Sequence, residues 1–211
     1  MQLRSSFLLL ALAAAACGYS APDEVINGQA VAAIQKNNTT WANYQTFSVA
    51  NKVQVFDNRS GNGQADQGQL QNAPALIDQV RQNMTRLGWT EVPFNPALLP
   101  PAPGAADVVL GLVAYLGSTT YGGYYCDWYY YGYYPYGCGY YYYGTYNFGT
   151  LQIQMGDFKN AVANPPPNSQ AQLQIIWNAT MYGITSNQQY NLAIAQSAID
   201  RAFDQSPYLH K

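Results

Sequence analysis

Three aspartates, Asp107, Asp127 and Asp157, are the residues of this 211-residue chain whose type and placement could support catalysis. A pair of carboxylates can share acid and base roles, as in glycoside hydrolysis, if folding brings them to opposite sides of a scissile bond. The middle strands would bring their segments together, yet the eleven acidic residues are scattered singly along the chain. A carboxylate enzyme is therefore the least favoured of the readings kept open. The one histidine, His210, stands beside Lys211 where chain ends fray, and is a poor base or ligand. Without another histidine there is no Ser-His-Asp or Cys-His arrangement and no histidine pair for zinc. The stretch Gly61-Asn62-Gly63-Gln64-Ala65-Asp66 imitates a dinucleotide loop, but an acidic residue replaces the third glycine and would face a pyrophosphate with the wrong charge. It reads as a solvated turn. Asp57 to Asp66 also fails calcium-loop spacing, because Arg59 and Gly61 fall on ligand positions. No catalytic residue, no metal and no cofactor are expected, and the chain reads as a non-enzyme.

The feature above background is aromatic. Fourteen tyrosines and Trp128 lie between Tyr121 and Tyr146, with glycines interleaved. Tyrosine presents a large amphipathic ring at low rotamer cost, which suits protein partners, flat sugar faces and lipid headgroups. Tyr125, Trp128, Tyr130, Tyr133, Tyr136, Tyr141 and Tyr143 are the candidate binding surface. The plainer alternative is a self-packed hairpin lying over the open face of a sheet. Nucleic acid is excluded as a partner, because no Lys or Arg lies within the segment to meet phosphate.

Two cysteines, Cys126 and Cys138, sit twelve positions apart inside this segment. In an exported chain an even pair favours a disulfide, with free thiols as the alternative. A loop of that size closed by a disulfide gains about 3 kcal/mol in the chain-entropy picture, and would be pinched into a hairpin-like finger.

Export itself is read from the N-terminus. Residues 1–16 combine one cation, Arg4, with the apolar run from Phe7 to Ala16, too short for a membrane anchor and shaped like a signal peptide. Ala14 and Ala16 before Cys17 resemble the lipobox of bacterial lipoproteins, although Ala14 stands where leucine is usual. That resemblance implies cleavage before Cys17 and acylation of its side chain and new terminus; ordinary cleavage near Ala16 is the alternative. Gly18, Tyr19 and Ser20 lack the acidic residue that marks inner-membrane retention, so the outer membrane is the expected destination. Only 9% of residues are charged and the net charge is -2, which removes any basic footprint for nucleic acid and eases self-association.

The elements that must carry these residues follow from hydrophobic period. Residues 17–42 read as the lipidated N-terminus and a linker, with one helical turn at Val31 to Ile34. Phe47, Val49, Val53 and Val55 mark strands. Ala73, Leu76, Ile77, Val80, Met84 and Leu87 recur at helical spacing, with Asn72 to cap, Pro74 in the first turn and Gly88 to stop. The five prolines between Pro93 and Pro103 make a loop. Residues 106–116 are apolar on both faces, as a central strand requires. Leu151, Ile153 and Met155 alternate with Gln152 and Gln154; Leu173, Ile175, Trp177, Ala179 and Met181 alternate with Gln172, Gln174, Asn178 and Thr180. Both read as strands with one wet face. Leu192, Ala195, Ile199, Ala202 and Phe203 form a second helix, with Arg201 near its end and Pro207 beyond it. The order predicts an α+β domain over 43–207. It has a largely antiparallel twisted sheet of four to five strands, two helices packed on one face, and a Tyr/Gly-rich hairpin-like insertion at 118–148. Residues 208–211 read as a tail.

Tyr44-Gln45-Thr46-Phe47, the helix end Leu87-Gly88-Trp89, Ala106-Asp107 opening an apolar strand, Gly149-Thr150-Leu151 with Asp157 after it, Trp177, and Ala202-Phe203 with Pro207 are together similar to one group of bacterial envelope lipoproteins. That group is the domain-of-unknown-function 4136 family. The resemblance covers roughly residues 43–207, and it departs at Asn178, where a basic residue is usual. It implies a lipobox, this element order and an aromatic insertion between middle strands, and it implies no reaction. The expected protein is an outer-membrane-anchored, non-enzymatic binding or structural module of the cell envelope. It would hold the membrane through acyl groups and an envelope protein or glycan through the tyrosine loop; the main alternative is an exported protein that self-associates through that loop.

Overall fold

Period-two alternation from Thr46 and from Thr150, and the continuous apolar run from Val108, become the long strands of one sheet. The computed structural model describes residues 25–26, 29–57, 66–70, 72–95, 104–116, 119–124, 141–146, 149–161, 174–186 and 189–211. In chain order the strands are β1 (Val25–Ile26), β2 (Gln29–Gln35), β3 (Thr46–Asp57), β4 (Asp66–Gln69), β5 (Thr90–Glu91), β6 (Val108–Leu116), β7 (Thr119–Tyr124), β8 (Tyr141–Tyr146), β9 (Thr150–Asp157), β10 (Ile175–Tyr182), β11 (Thr185–Ser186) and β12 (Gln189–Tyr190). Helix α1 (Ala73–Arg86) lies between β4 and β5, and α2 (Leu192–Asp204) follows β12.

The main sheet runs β1-β2-β10-β9-β6-β3-β4, with β5 added on β3. Six of its strands are at least four residues long and β1 and β5 are two-residue additions, so the sheet is larger than the four to five strands expected. Neighbours are antiparallel except β3 with β6 and β3 with β5. The β3–β6 pair is parallel because α1 carries the chain back across the sheet between them. Asp66 opens strand β4, opposite Asp57, so the glycine stretch before it leads into a strand and not into the helix a phosphate loop requires.

Helix α1 starts with Pro74 in its first turn and stops at Gly88, whose φ of 91° belongs to the left-handed region. The expected Asn72 cap makes no side-chain bond, whereas Asn191 caps α2 by accepting from the Ile194 N–H at 3.2 Å. Helix α1 lies over β3, and α2 over β10 and β2. Between them and the sheet Leu76, Val80, Met84, Ala198 and Phe203 meet Phe47, Leu110, Ile153 and Trp177 in one core.

Three boundary expectations are corrected. Residues 29–35, read as linker with a helical turn, form strand β2 paired along Ala30 to Gln35 with β10, because an edge position in a sheet overrides the weak strand preference of alanine. Trp41, placed in the same linker, is buried in a 3-10 turn, and its indole N–H donates to Gln35 Oε1 at 2.7 Å. The expected tail is also tied down. Tyr208 stacks on Trp41 with ring centres 5.8 Å apart, Leu209 is buried and accepts from the Trp89 indole at 2.7 Å, and the Lys211 N–H donates to Leu87 O at 3.0 Å. His210 is exposed.

Candidate functional site

The tyrosine segment is rooted in the centre of the sheet. Strands β6 and β9 are antiparallel neighbours, and Tyr115 of one faces Thr150 of the other at the point where the segment begins and ends. Beyond that root β7 and β8 form a separate two-stranded antiparallel ladder, running from Thr119 opposite Tyr146 to Tyr124 opposite Tyr141. Each glycine of the ladder stands opposite a tyrosine, Gly122 opposite Tyr143, Gly123 opposite Tyr142 and Gly144 opposite Tyr121. Tyr141 and Tyr143 occupy alternate positions of β8. Tyr125, Trp128, Tyr130, Tyr133, Tyr136, Cys126, Cys138 and Asp127 lie outside the described residues, as do Cys17 and the residues read as a signal peptide.

The two remaining carboxylate candidates do converge, at the end of the sheet where β3 and β6 begin and β9 finishes. Asp107 Oδ2 accepts the N–H groups of Gln45 at 2.6 Å and Thr46 at 3.0 Å, and its own N–H donates to Thr46 Oγ1 at 2.9 Å. Its carbonyl accepts from Phe158 and Lys159, and Lys159 Nζ stands 3.4 Å from Oδ1. Asp157 accepts the Tyr44 hydroxyl at 2.8 Å and both the N–H and the side-chain amide of Asn160, at 3.0 and 2.9 Å. Partial burial opposes the charge on Asp107, but the two backbone donors and the Lys159 cation outweigh it and hold the carboxyl below its usual range. Burial first, then the bond to Asp157 and its charge, push the Tyr44 phenol up to about 12.

This arrangement clasps strand ends. Each carboxylate accepts from donors of the chain itself, so the pair's visible duty is to hold the strand ends together. Among the described residues no group of three or more His, Cys, Asp and Glu could hold a metal ion. Lys159 and Asn160 completed the clasp unannounced; the signal was Asp157 closing a strand, where a short acidic side chain readily accepts a nearby backbone N–H, here that of Asn160 three positions on.

A polar groove between the helices has the same character. It is lined by Gln79, Gln82, Asn83, Arg86, Asp200 and Asp204. Asp200 accepts from Gln79 and Asn83 at 2.5 and 2.7 Å, and Arg86 reaches Asp204 at 2.7 Å. Through these bonds α1 is tied to α2.

The second face of the sheet differs most from expectation. Gln152, Gln154 and Thr180, read as a wet face, are only 2%, 5% and 4% exposed. Gln54, Val113 and Gln152 are cross-strand neighbours in one row, and Gln154 Nε2 donates to Gln152 Oε1 at 3.1 Å. Among the described residues neither polar atom of the Gln54 side chain finds a hydrogen-bond partner, although the residue is only 7% exposed. Alternation marks which side chains share a face; it does not say whether water or protein covers that face.

The family model described as "Domain of unknown function (DUF4136)" matches residues 31–208. The chain belongs to this family. A solved DUF4136 protein from Bacteroides thetaiotaomicron is similar in fold, with a TM-score of 0.60 and 18% identity over 86% of this chain and 97% of that one. A PelC dodecamer from Paraburkholderia phytofirmans aligns with a TM-score of 0.43 and 12% identity, over 87% and 99% of the two chains. Among curated proteins nothing matches. The residues that carried the family resemblance have visible structural duties: Tyr44, Asp107 and Asp157 form the clasp, Trp89 holds Leu209, and Trp177 stacks on Phe203 at 5.1 Å while donating to Ser206 Oγ at 2.9 Å.

Proposed function

We propose that this DUF4136 protein is a lipid-anchored, non-enzymatic module of the bacterial cell envelope that binds an envelope protein or glycan through its tyrosine-rich segment. The observation that carries the reading is the β7–β8 ladder, a separate pair of strands rooted between the two central strands β6 and β9. A rigid root under an aromatic, glycine-spaced segment is how a scaffold presents an adaptable binding surface. Cys17 supplies the anchor, and the Cys126–Cys138 pair supplies a covalent closure two to three residues beyond the Tyr124–Tyr141 pairing.

A second reading is favoured by the buried amide face. In that reading the tyrosine segment serves as a second layer of the domain, over the face on which Gln54, Gln152, Gln154 and Thr180 are buried. Replacing residues 118–148 by a short Gly/Ser turn decides between them. A folded domain with lost retention of native envelope extract, compared with the intact protein, supports the binding module. A deletion product that fails to unfold cooperatively overturns it in favour of the structural layer.

A further inference from the structure

We propose that the β1–β2 edge of the sheet, at its Ile34–Lys36 end, rests on the lipid surface that holds Cys17. The inference rests on the anchor reading above and adds an orientation to it. The described sheet begins at Val25, so only residues 18–24 separate Cys17 from β1. Eight steps of backbone reach no more than about 26–29 Å. A domain of this length is roughly 40 Å across. The tether is shorter than the body it holds. Six strand spacings of about 4.8 Å also separate β1 from β4, so turning β4 toward the bilayer would consume the whole reach.

The direction of β1 selects one end of that edge. Val25 pairs with Ala30 in antiparallel sense, so the chain read backward from Val25 heads toward the Lys36 end of β2. There Ile34 is 50% exposed, the large exposed hydrophobic side chain of the described residues. Lys36 and Asn37 beside it are exposed, and the Lys36 ammonium, bonded to Gln174, keeps further N–H donors for phosphate oxygens. An apolar side chain at the acyl boundary with a lysine in the headgroup layer is the chemistry of interfacial contact. The tether also carries Asp23 and Glu24, so net attraction to an anionic leaflet does not drive the contact. Tethering does: it makes the encounter intramolecular, and one weak apolar contact is then enough to bias orientation.

The test uses the full acylated protein in phosphatidylethanolamine/phosphatidylglycerol vesicles, with a benzophenone amino acid placed at Ile34, at Asn37 or at the exposed Gln82 of α1. Irradiation followed by intact mass reads both the acyl groups on Cys17 and any lipid adduct. At least tenfold more adduct at positions 34 and 37 than at 82 is expected. Acylated protein with equal adducts at all three positions overturns the docking alone, and protein without acyl groups overturns the anchor and the docking together. Two neighbouring probe positions keep the result readable if one variant misfolds.

Discussion

On the helix side of the sheet, β6 and β9 contribute Val108, Leu110, Leu112, Leu151, Ile153 and Met155; on the other side the same strands contribute Val113, Tyr115, Gln152 and Gln154. Both sets are buried, with different consequences. An apolar face accepts any close-packed apolar cover, and its stability scales with area removed from water. An amide face gains little from burial as such and loses about 1–3 kcal/mol for each polar group left without a partner. The first face supplies stability, and the second constrains what covers it.

The largest effect should come from the apolar side. Trp177→Ala removes the stack on Phe203 and the bond to Ser206, and should cost about 3–5 kcal/mol in denaturant unfolding. A loss below about 1 kcal/mol would remove the distinction between the faces at its strongest point.

Next comes the clasp at the sheet's end. Asp107→Ala should cost about 2–4 kcal/mol at neutral pH, since the carboxylate takes two backbone N–H groups. Its carboxyl is held below the usual range, so its contribution is present above about pH 4 and lost as pH falls through the lowered native value. At the alkaline end the sign reverses. The Tyr44 phenol, raised to about 12 from an ordinary 10, contributes stability that is full below pH 10 and is lost as pH rises toward 12. Stability measured across pH should show both limbs, and Tyr44→Phe should flatten the alkaline one.

The smallest effect sharpens the comparison most. Gln54→Met keeps volume and deletes two buried polar atoms without partners, so it should be neutral or stabilise by about 1 kcal/mol. A loss above that would mean the amide holds a group in the folded protein.

Local rules made part of this legible and stopped where contacts are distant. Pro74, the spacing from Ala73 to Leu87 and Gly88 specify α1 from neighbours alone, and the all-apolar run from Val108 specifies a strand buried on both sides. Strand β2 was hidden because the two alanines between Val31 and Ile34 blur the alternation that marks a strand; pairing with β10, far along the chain, makes it one. Tyr208 and Leu209 were hidden for the same reason, since their partners Trp41 and Trp89 are remote in sequence. Of the clasp, Asp107 and Asp157 were legible, with Asp127, as carboxylates that the middle strands bring together, but the bonds they accept depend on the backbone N–H directions at Gln45, Thr46 and Asn160 and on where the Tyr44 hydroxyl falls, which residue types do not encode.

The Tyr115–Thr150 pairing at the root of the insertion has an engineering consequence. Closing a loop costs entropy that rises only with the logarithm of its length, about 0.6 kcal/mol for each doubling. With both ends of the excursion fixed by adjacent central strands, the scaffold is nearly indifferent to how long a passenger it carries there. If the domain survives removal of its own tyrosine segment, the β6–β9 junction is a port for unrelated sequences: an epitope, an enzyme loop or a reporter, held by a domain that reads only its two ends.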